Sequence, residues 1–191
     1  MAGARPLRAD ARRNRDRLLE AAAAAFAADG LSVPLDEIAR RAGVGPGTLY
    51  RHFPTKEALF EAVLHDRLQR LADDARGLRD ASDPGAALLG FIGRLVGEAA
   101  LKRGLADALA GSGTGPDTAL AGLAARLRDE LGHLLSRAQR GGAIRADLTT
   151  ADLMALIRGI LVAVQVGPGD QADPARAVAV LRDGLRAAPV R

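Results

Sequence analysis

The chain has neither cysteine nor tryptophan, and aromatic residues make up only 3% of its 191 residues. Without cysteine, disulfide bonds and thiolate metal sites are excluded, as is typical of proteins of the reducing cytoplasm. Because aromatic side chains are so few, the core has to be built from aliphatic residues and alanine. The sequence also lacks any stretch close to the ~20 consecutive apolar residues of a membrane-spanning helix, so no membrane association is expected.

The patterns of a catalytic or metal-binding centre are missing as well. The three histidines, at positions 52, 65 and 133, are scattered, and no HExxH motif is present. The adjacent acid pairs at 73–74 and 129–130 splay apart on a helix and do not converge on one substrate. No glycine-rich phosphate loop follows a strand pattern. We therefore expect no enzymatic activity, no metal and no cofactor.

The N-terminal region superficially resembles a signal peptide, with arginines followed by Leu18-Leu19 and an alanine run. Glu20 interrupts that apolar run, and alanine is only weakly hydrophobic. We therefore expect no secretion and a cytoplasmic location.

What the sequence does contain is an asymmetric distribution of charge. Residues 1–56 hold ten Lys/Arg against six Asp/Glu, a net charge of +4, whereas residues 57–191 hold 17 of each. A basic head on a neutral body is typical of a nucleic-acid-binding module joined to an unrelated domain.

Helix signals dominate the whole chain, and no convincing alternating strand pattern is present. Glycine, proline and capping residues divide the sequence into nine predicted helices, so the predicted fold class is all-α. Thr149 and Asp152 have the spacing of a capping box at the start of the eighth. The helices are predicted at about 10–28, 34–42, 46–53, 55–79, 84–96, 104–110, 117–140 and 151–166, with a ninth that ends near 187.

Residues 35–56 have the layout of a helix-turn-helix, LDEIARRAGVGPGTLYRHFPTK. Gly43 permits the sharp turn between two short helices, where a β-carbon would be costly. Pro46 presets the first turn of the second helix. In this motif the second helix enters the major groove of DNA.

Residues 15–64 resemble the DNA-binding domain of the TetR family of bacterial transcriptional regulators. The resemblance is carried by EIARRAGVGPGTLYRHFPTKEAL together with Gly30. It implies a three-helix N-terminal helix-turn-helix domain over residues 1–54. It also implies a six-helix C-terminal ligand-binding and dimerisation domain over residues 55–191.

Three residues of the second helix offer direct chemistry to DNA. Gly47 lets the backbone approach DNA closely, although a purely conformational role explains it equally well. Thr48 offers a hydroxyl group to a phosphate or base and a methyl group to thymine. The Arg51 guanidinium matches the O6 and N7 atoms of guanine, with a solvated arginine that contacts only phosphate as the alternative.

The resemblance adds phosphate contacts and also shows two departures from the family pattern. It implies that Tyr50, His52 and Lys56 contact phosphates. Val33-Pro34 stand where the family often has a threonine, and Gly45-Pro46 stand where it often has polar or basic residues. Base reading therefore depends more on Thr48, on Arg51, and on Arg40 or Arg41. The predicted DNA-binding residues are Arg40, Pro46, Gly47, Thr48, Tyr50, Arg51, His52 and Lys56.

In the body, the resemblance implies a ligand pocket between the fourth, fifth, seventh and eighth predicted helices. A lining of alanine, leucine and valine suits a ligand with a substantial apolar part. Glu98 lies one turn from Arg94, so a salt bridge between them is the simpler explanation of that pair. Arg158 lies on an apolar helix, and an internal or intersubunit acid is a better-supported partner than a ligand carboxylate. The polar candidates, expected to be buried or half-buried, are Arg94, Glu98, His133, Arg158 and Gln165, and all but Glu98 are the predicted ligand contacts.

The eighth predicted helix is apolar on nearly every side, and with the ninth it is expected to form a four-helix interface with a second copy. Two recognition helices would then lie roughly 34 Å or more apart, so the operator should be palindromic. The expected function is a homodimeric repressor at the nucleoid, which binds operator DNA and is released by a small apolar or amphipathic effector. The alternative is an all-helical ligand-binding or interaction protein whose DNA head is degenerate, because the departures at Val33-Pro34 and Gly45-Pro46 remove side-chain contacts.

Overall fold

The computed structural model describes residues 4–97, 118–163 and 173–187. Within these ranges the chain is all-α, as predicted, with a short 3-10 helix at Gly30–Ser32 and no strand. The helices of these ranges are α1 (Ala4–Asp29), α2 (Leu35–Arg41), α3 (Pro46–His52), α4 (Lys56–Gly77), α5 (Pro84–Gly97), α6 (Thr118–Arg140), α7 (Thr150–Ala163) and α8 (Pro174–Leu185).

The predicted helices correspond to these elements with small differences at their ends. α1 begins at Ala4 instead of near residue 10, because Pro6 lies in the first turn, where its missing N–H removes no helical hydrogen bond. The predicted seventh, eighth and ninth helices are α6, α7 and α8. The helix predicted at about 104–110 lies outside the described residues, as does the end of the eighth beyond Ala163.

The chain folds into two compact units, Met1–Asp66 and Arg67–Arg191. The division falls within α4, a single helix that belongs to the first unit in its first half. The domain boundary predicted between residues 54 and 55 stays a prediction.

In the first unit, α1 packs against α2 and the 3-10 helix through one apolar stripe. Leu18, Leu19 and Ala22 of that stripe are buried, and further along it the Phe26 ring meets the Phe60 ring edge to face, with centroids 5.7 Å apart. Edge-to-face contact is a preferred geometry for an aromatic pair. This small core holds the three helices of the basic head together.

In the second unit, the core lies chiefly between α5 and α6, with α7 and α8 packed on them. Buried leucines recur along α6 at helical spacing, among them Leu127, Leu131 and Leu134. After α6 the chain forms one antiparallel bridge between Ile144 and Arg186, which ties the turn that follows α6 to the end of α8.

The connection between α4 and α5 is fixed to α6 by charged side chains. Glu130 is buried and accepts two hydrogen bonds from the Arg79 guanidinium, at 2.6 and 2.9 Å. Arg137 donates to the backbone carbonyl groups of Arg79 and Ala81. These bonds satisfy carbonyl groups that follow the end of α4 and have no helical partner.

Within the described ranges, no helix combines the length and the apolar character needed to cross a membrane.

Candidate DNA-binding interface

The turn between α2 and α3 is a left-handed helix cap centred on Gly43, whose φ is +66°. The Gly43 N–H donates to the Arg40 carbonyl at 3.1 Å, and the Val44 N–H donates to the Ala39 carbonyl at 3.1 Å. These two bonds form a Schellman motif, in which the glycine avoids the steric cost that a β-carbon meets at positive φ. The turn predicted at Gly43 is therefore present.

The inner faces of α2 and α3 are held by apolar side chains. Ile38, Ala39 and Leu49 are fully buried, and Phe53 is buried directly after α3. Helical periodicity then leaves the other faces of both helices outside this core. α3 begins at Pro46, and its first turn is closed by hydrogen bonds from the N–H groups of Thr48 and Leu49 to the Gly45 carbonyl.

The predicted contact residues of α3 lie on its outer side. Pro46, Gly47 and Arg51 are exposed, Tyr50 is 46% exposed, and Thr48 and His52 are half-buried. Gly47 has no positive φ, and a β-carbon there would meet nothing within 4 Å. The backbone of α3 itself therefore does not require glycine at this position.

The polar groups of α3 are partly satisfied within the head. The Arg51 Nε donates to the Gly47 carbonyl at 3.1 Å, one turn back along the helix. The Tyr50 hydroxyl lies beside Asp36 of α2, whose negative charge raises the pKa of this phenol above its ordinary value. These contacts are exposed and made within the head, so both side chains can exchange them for an external anion or base.

Arg40 lies on the exposed side of α2 and is held by a carboxylate of the same helix. Its guanidinium forms a bidentate pair with Glu37, with both distances 2.7 Å. Glu37 also accepts from the Arg41 Nε at 2.8 Å, and Arg41 pairs in turn with Asp29 at the end of α1. The hydrogen bonds from the two arginines hold the pKa of Glu37 well below its usual range, at about 2.

Lys56 lies at the first position of α4 and is half-buried. Its Nζ donates to the Leu31 carbonyl at 3.0 Å, which joins the start of α4 to the 3-10 helix after α1. The Thr55 hydroxyl accepts from the Ala58 N–H at 3.1 Å and so caps the start of α4. The Leu31 carbonyl is uncharged, so this contact does not neutralise the positive charge of Lys56.

The DNA-binding residues predicted from the sequence thus lie on two consecutive helices and at the start of a third, all within the first unit. Sequence reasoning did not predict the contact of Arg15 with Phe53, in which the guanidinium carbon lies 5.6 Å from the centroid of the ring. No local spacing connects these two residues, so only the packing of α1 beside the end of α3 reveals the contact.

Two of the predicted ligand residues differ from expectation. Arg94 and His133 were expected to be buried or half-buried, and both are exposed. In each helix the leucines at neighbouring positions occupy the buried face, so periodicity turns these two side chains outward. Arg94 lies over the ring of Phe91 at 5.6 Å from its centroid. Arg158 is half-buried on α7, while Gln165 and Glu98 lie outside the described residues.

The second unit also contains a cavity of about 350 Å³ between α5 and α8. Its lining is mostly apolar. The described ligand-binding candidates, Arg94, His133 and Arg158, do not contribute to it. In the described part of the chain its lining residues are Gly93, Gly97, Asp173, Ala175 and Val178. In the described part of the chain, no group of three or more His, Asp and Glu side chains is arranged to hold a metal ion.

Comparison with known proteins matches both units of the chain. The profile of bacterial regulatory proteins of the tetR family matches residues 18–63, and that of the SbtR-like transcriptional regulator C-terminal domain matches residues 83–187, which is more than half of the chain. The chain belongs to the TetR family.

Solved structures of TetR proteins match along nearly the whole length. A TetR transcription regulatory protein from Mycobacterium vanbaalenii is 50% identical, with a TM-score of 0.72, over 95% of this chain and 99% of that one. TetR transcriptional regulator SCO0520 from Streptomyces coelicolor is 36% identical, with a TM-score of 0.72, over 91% and 98% of the two chains.

Curated HTH-type transcriptional regulators match over a smaller part of the chain. HTH-type transcriptional regulator SrpR from Pseudomonas putida is 43% identical over 72 residues, which are 37% of this chain and 34% of SrpR. The chain spans about a third to a half of the length of the first curated relatives it matches, at 34% and 54%.

Proposed function

We propose that this TetR-family chain is a homodimeric, ligand-responsive transcriptional repressor that acts on DNA in the bacterial cytoplasm, at the nucleoid. In this proposal it binds a palindromic operator and is released by a small apolar or amphipathic effector. The observation that carries the proposal is the pair of helices α2 and α3, joined by the Gly43 cap, with the outer side of α3 exposed in a basic head.

The proposed DNA contacts divide into two kinds. Arg51 and Thr48 read base edges in the major groove, since a guanidinium matches guanine and a threonine methyl group matches thymine. Tyr50, His52 and Lys56 contact phosphates and fix the register of the head on the duplex. Arg40 joins them once a DNA phosphate replaces its Glu37 partner, because an ion pair at the protein surface is weak.

The proposed dimer forms through α7 and α8. Large apolar side chains are exposed on both helices, namely Leu156 at 44%, Val162 at 56% and Val180 at 66%. Covering them with the same helices of a second copy gives a four-helix interface with two-fold symmetry. A symmetric dimer presents two recognition helices, which is the reason for proposing a palindrome with half-sites about 34 Å apart.

The proposed effector binds in the second unit and weakens DNA binding through α4, the helix whose first half belongs to the first unit and whose second half belongs to the second. An effector that favours the released state by about 1–3 kcal/mol changes DNA occupancy roughly five- to hundred-fold. Arg158, half-buried on α7, and Gln165 remain the proposed polar contacts, whereas exposure argues against Arg94 and His133.

The first experiment is selection of random duplexes by the purified full chain, with the enriched sequences read across a salt series. Enrichment of a palindrome with two half-sites is expected for a dimeric sequence-specific regulator. Binding without enrichment, with a steep salt dependence, would mean that the head binds DNA through its charge and does not recognise a sequence. No binding would favour a ligand-binding protein whose head no longer reads DNA.

The second experiment separates the roles of the head residues on the selected duplex. Lys56→Ala is expected to weaken binding to all sequences and to lower the salt slope by about two, one for each subunit of the dimer. Arg51→Ala is expected to lose about 1–3 kcal/mol of discrimination at one base pair of each half-site. Arg140→Ala is the matched control, because it removes the same charge from an exposed position of α6 in the other unit. Equal losses in all three variants would contradict the assigned roles.

A further inference from the structure

Arg12 and Arg15, near the start of α1, lie on the same face of the helix as the residues that form the core of the head further along the chain. Arg12, Arg15 and Leu19 recur at helical spacing, and the same stripe continues to the buried Ala22 and Phe26. Arg12 and Arg15 are exposed, whereas Leu19 is buried. The stripe thus changes from apolar to cationic where α1 extends beyond the core.

Arg15 is held beside the C-terminal end of α3. Its guanidinium carbon lies 5.6 Å from the centroid of Phe53, the buried residue that follows His52. A guanidinium stacks on an aromatic face and keeps its N–H groups directed to the side, where they can still donate. The contact therefore positions a cation beside the C-terminal end of α3.

The acids of α1 near these two arginines are Asp10 and Asp16. In the described part of the chain, the acidic partner at the start of α1 is Asp10, which pairs with Arg13. Arg12 and Arg15 form no ion pair with any described carboxylate. A pair of exposed cations, one of them held by an aromatic ring, is suited to an external polyanion.

The structure assigns to Arg12 and Arg15 of α1 a second phosphate-binding surface, which contacts the DNA backbone outside the bases read by α3. This assignment rests on the function proposed above, since it takes DNA as the polyanion. The surface carries no sequence information and sets affinity and orientation. Each phosphate that it neutralises adds about 0.9 to the slope of log K against log salt concentration.

The test compares two double variants of the full chain that remove the same charge from one helix. Arg12→Gln/Arg15→Gln changes the proposed surface, and Arg13→Gln/Arg17→Gln changes exposed arginines on the other sides of α1. The first is expected to lower the salt slope by about four, because the dimer carries the surface twice, and to weaken binding at least tenfold. The second is expected to stay near the parent chain, and equal thermal unfolding of both variants controls for folding.

The length of the DNA locates the contacts. A duplex that ends at the edge of the selected palindrome is expected to bind the parent chain as weakly as the longer duplex binds Arg12→Gln/Arg15→Gln. That variant should not distinguish the two lengths. Equal slopes for the two double variants, or no dependence on length in the parent chain, would overturn the inference.

Two further measurements distinguish a failure of this inference from a failure of the proposed function. The same slopes are measured on a 30-base-pair random duplex, so that the inference is tested even where no sequence is selected and the proposed function fails. Vesicles of phosphatidylglycerol are the other probe. Loss of vesicle binding by Arg12→Gln/Arg15→Gln, with DNA binding unchanged, would assign the surface to a membrane and overturn the inference.

Discussion

Arg79 and Glu130, 51 positions apart in the chain, form a bidentate ion pair in which Nε lies 2.6 Å from Oε2 and Nη2 lies 2.9 Å from Oε1. The Glu130 carboxylate is nearly inaccessible, while Arg79 keeps about two fifths of its side chain exposed. A buried carboxylate is stable only with its partner in place. The pair therefore fixes the segment after α4 to α6.

Replacing Glu130 with alanine is expected to lower the free energy of unfolding by about 2 kcal/mol, because it removes two charge-assisted hydrogen bonds from a mostly buried site. Urea denaturation measures the loss. Asp129→Ala, at the exposed neighbouring position, should change stability by no more than about 0.5 kcal/mol. Similar losses in the two variants would mean that the Arg79–Glu130 pair stabilises the fold no more than an exposed carboxylate does.

Gly43→Ala is expected to destabilise the head by about 1 kcal/mol, because the Schellman cap requires a φ of +66° there. Gly47→Ala is the matched change, since Gly47 has an ordinary φ and open space for a β-carbon. It should leave thermal stability unchanged or higher, and yet weaken DNA binding by bringing a methyl group between backbone and phosphate. DNA affinity unaffected by Gly47→Ala would contradict a close approach at this glycine.

Gly85→Ala is expected to destabilise the second unit by about 1–3 kcal/mol. A β-carbon at Gly85 would lie 2.5 Å from the Cβ of Ala143, so α5 and the turn after α6 would have to separate. Gly90→Ala, also in α5, meets nothing within 4 Å and should stabilise the helix by about 0.5–1 kcal/mol. Opposite shifts in the unfolding midpoint are the expected result, and a neutral Gly85→Ala would show that the contact relaxes without cost.

The Glu37 carboxylate is expected to titrate at about pH 2, below its ordinary value of 4.5, because Arg40 and Arg41 hydrogen-bond to its charged form. A lowered pKa in the folded state means that the stabilisation is fully present above pH 4.5 and is lost as the pH falls towards 2. Carbon-detected NMR titration of the Glu37 carboxyl group measures this directly. Arg40→Ala should raise the pKa at least as much as Arg41→Ala, and a parent value near 4.5 would refute the bidentate pair.

Features determined by neighbours in sequence were predicted from the sequence. The Thr149–Asp152 capping box is present with both reciprocal bonds, at 2.9 Å from the Thr149 N–H and 3.2 Å from the Asp152 N–H. The turn at Gly43 and the start of α3 at Pro46 are likewise where the pattern predicts them. Each depends on residues three or four positions apart, whose geometry a helix end fixes by itself.

Features that join distant segments were not predicted. The contacts of Lys56 with the Leu31 carbonyl, and of Arg15 with Phe53, connect residues with no periodic relation. The exposure of Arg94 and His133 was also misjudged, because a polar residue on an apolar helix faces inward or outward according to which stripe the neighbouring helices cover.

The sequence alone therefore determined the all-α fold, the helix-turn-helix and the candidate residues of α3, since helix periodicity, caps and turns are local properties of the chain. The tertiary structure decided which charges are paired and which faces are covered, because those depend on helices far apart in sequence that pack together. Glu130 illustrates the difference. In the sequence it is one acid of an adjacent pair, and only the position of Arg79 across the fold makes it a buried anchor for α6.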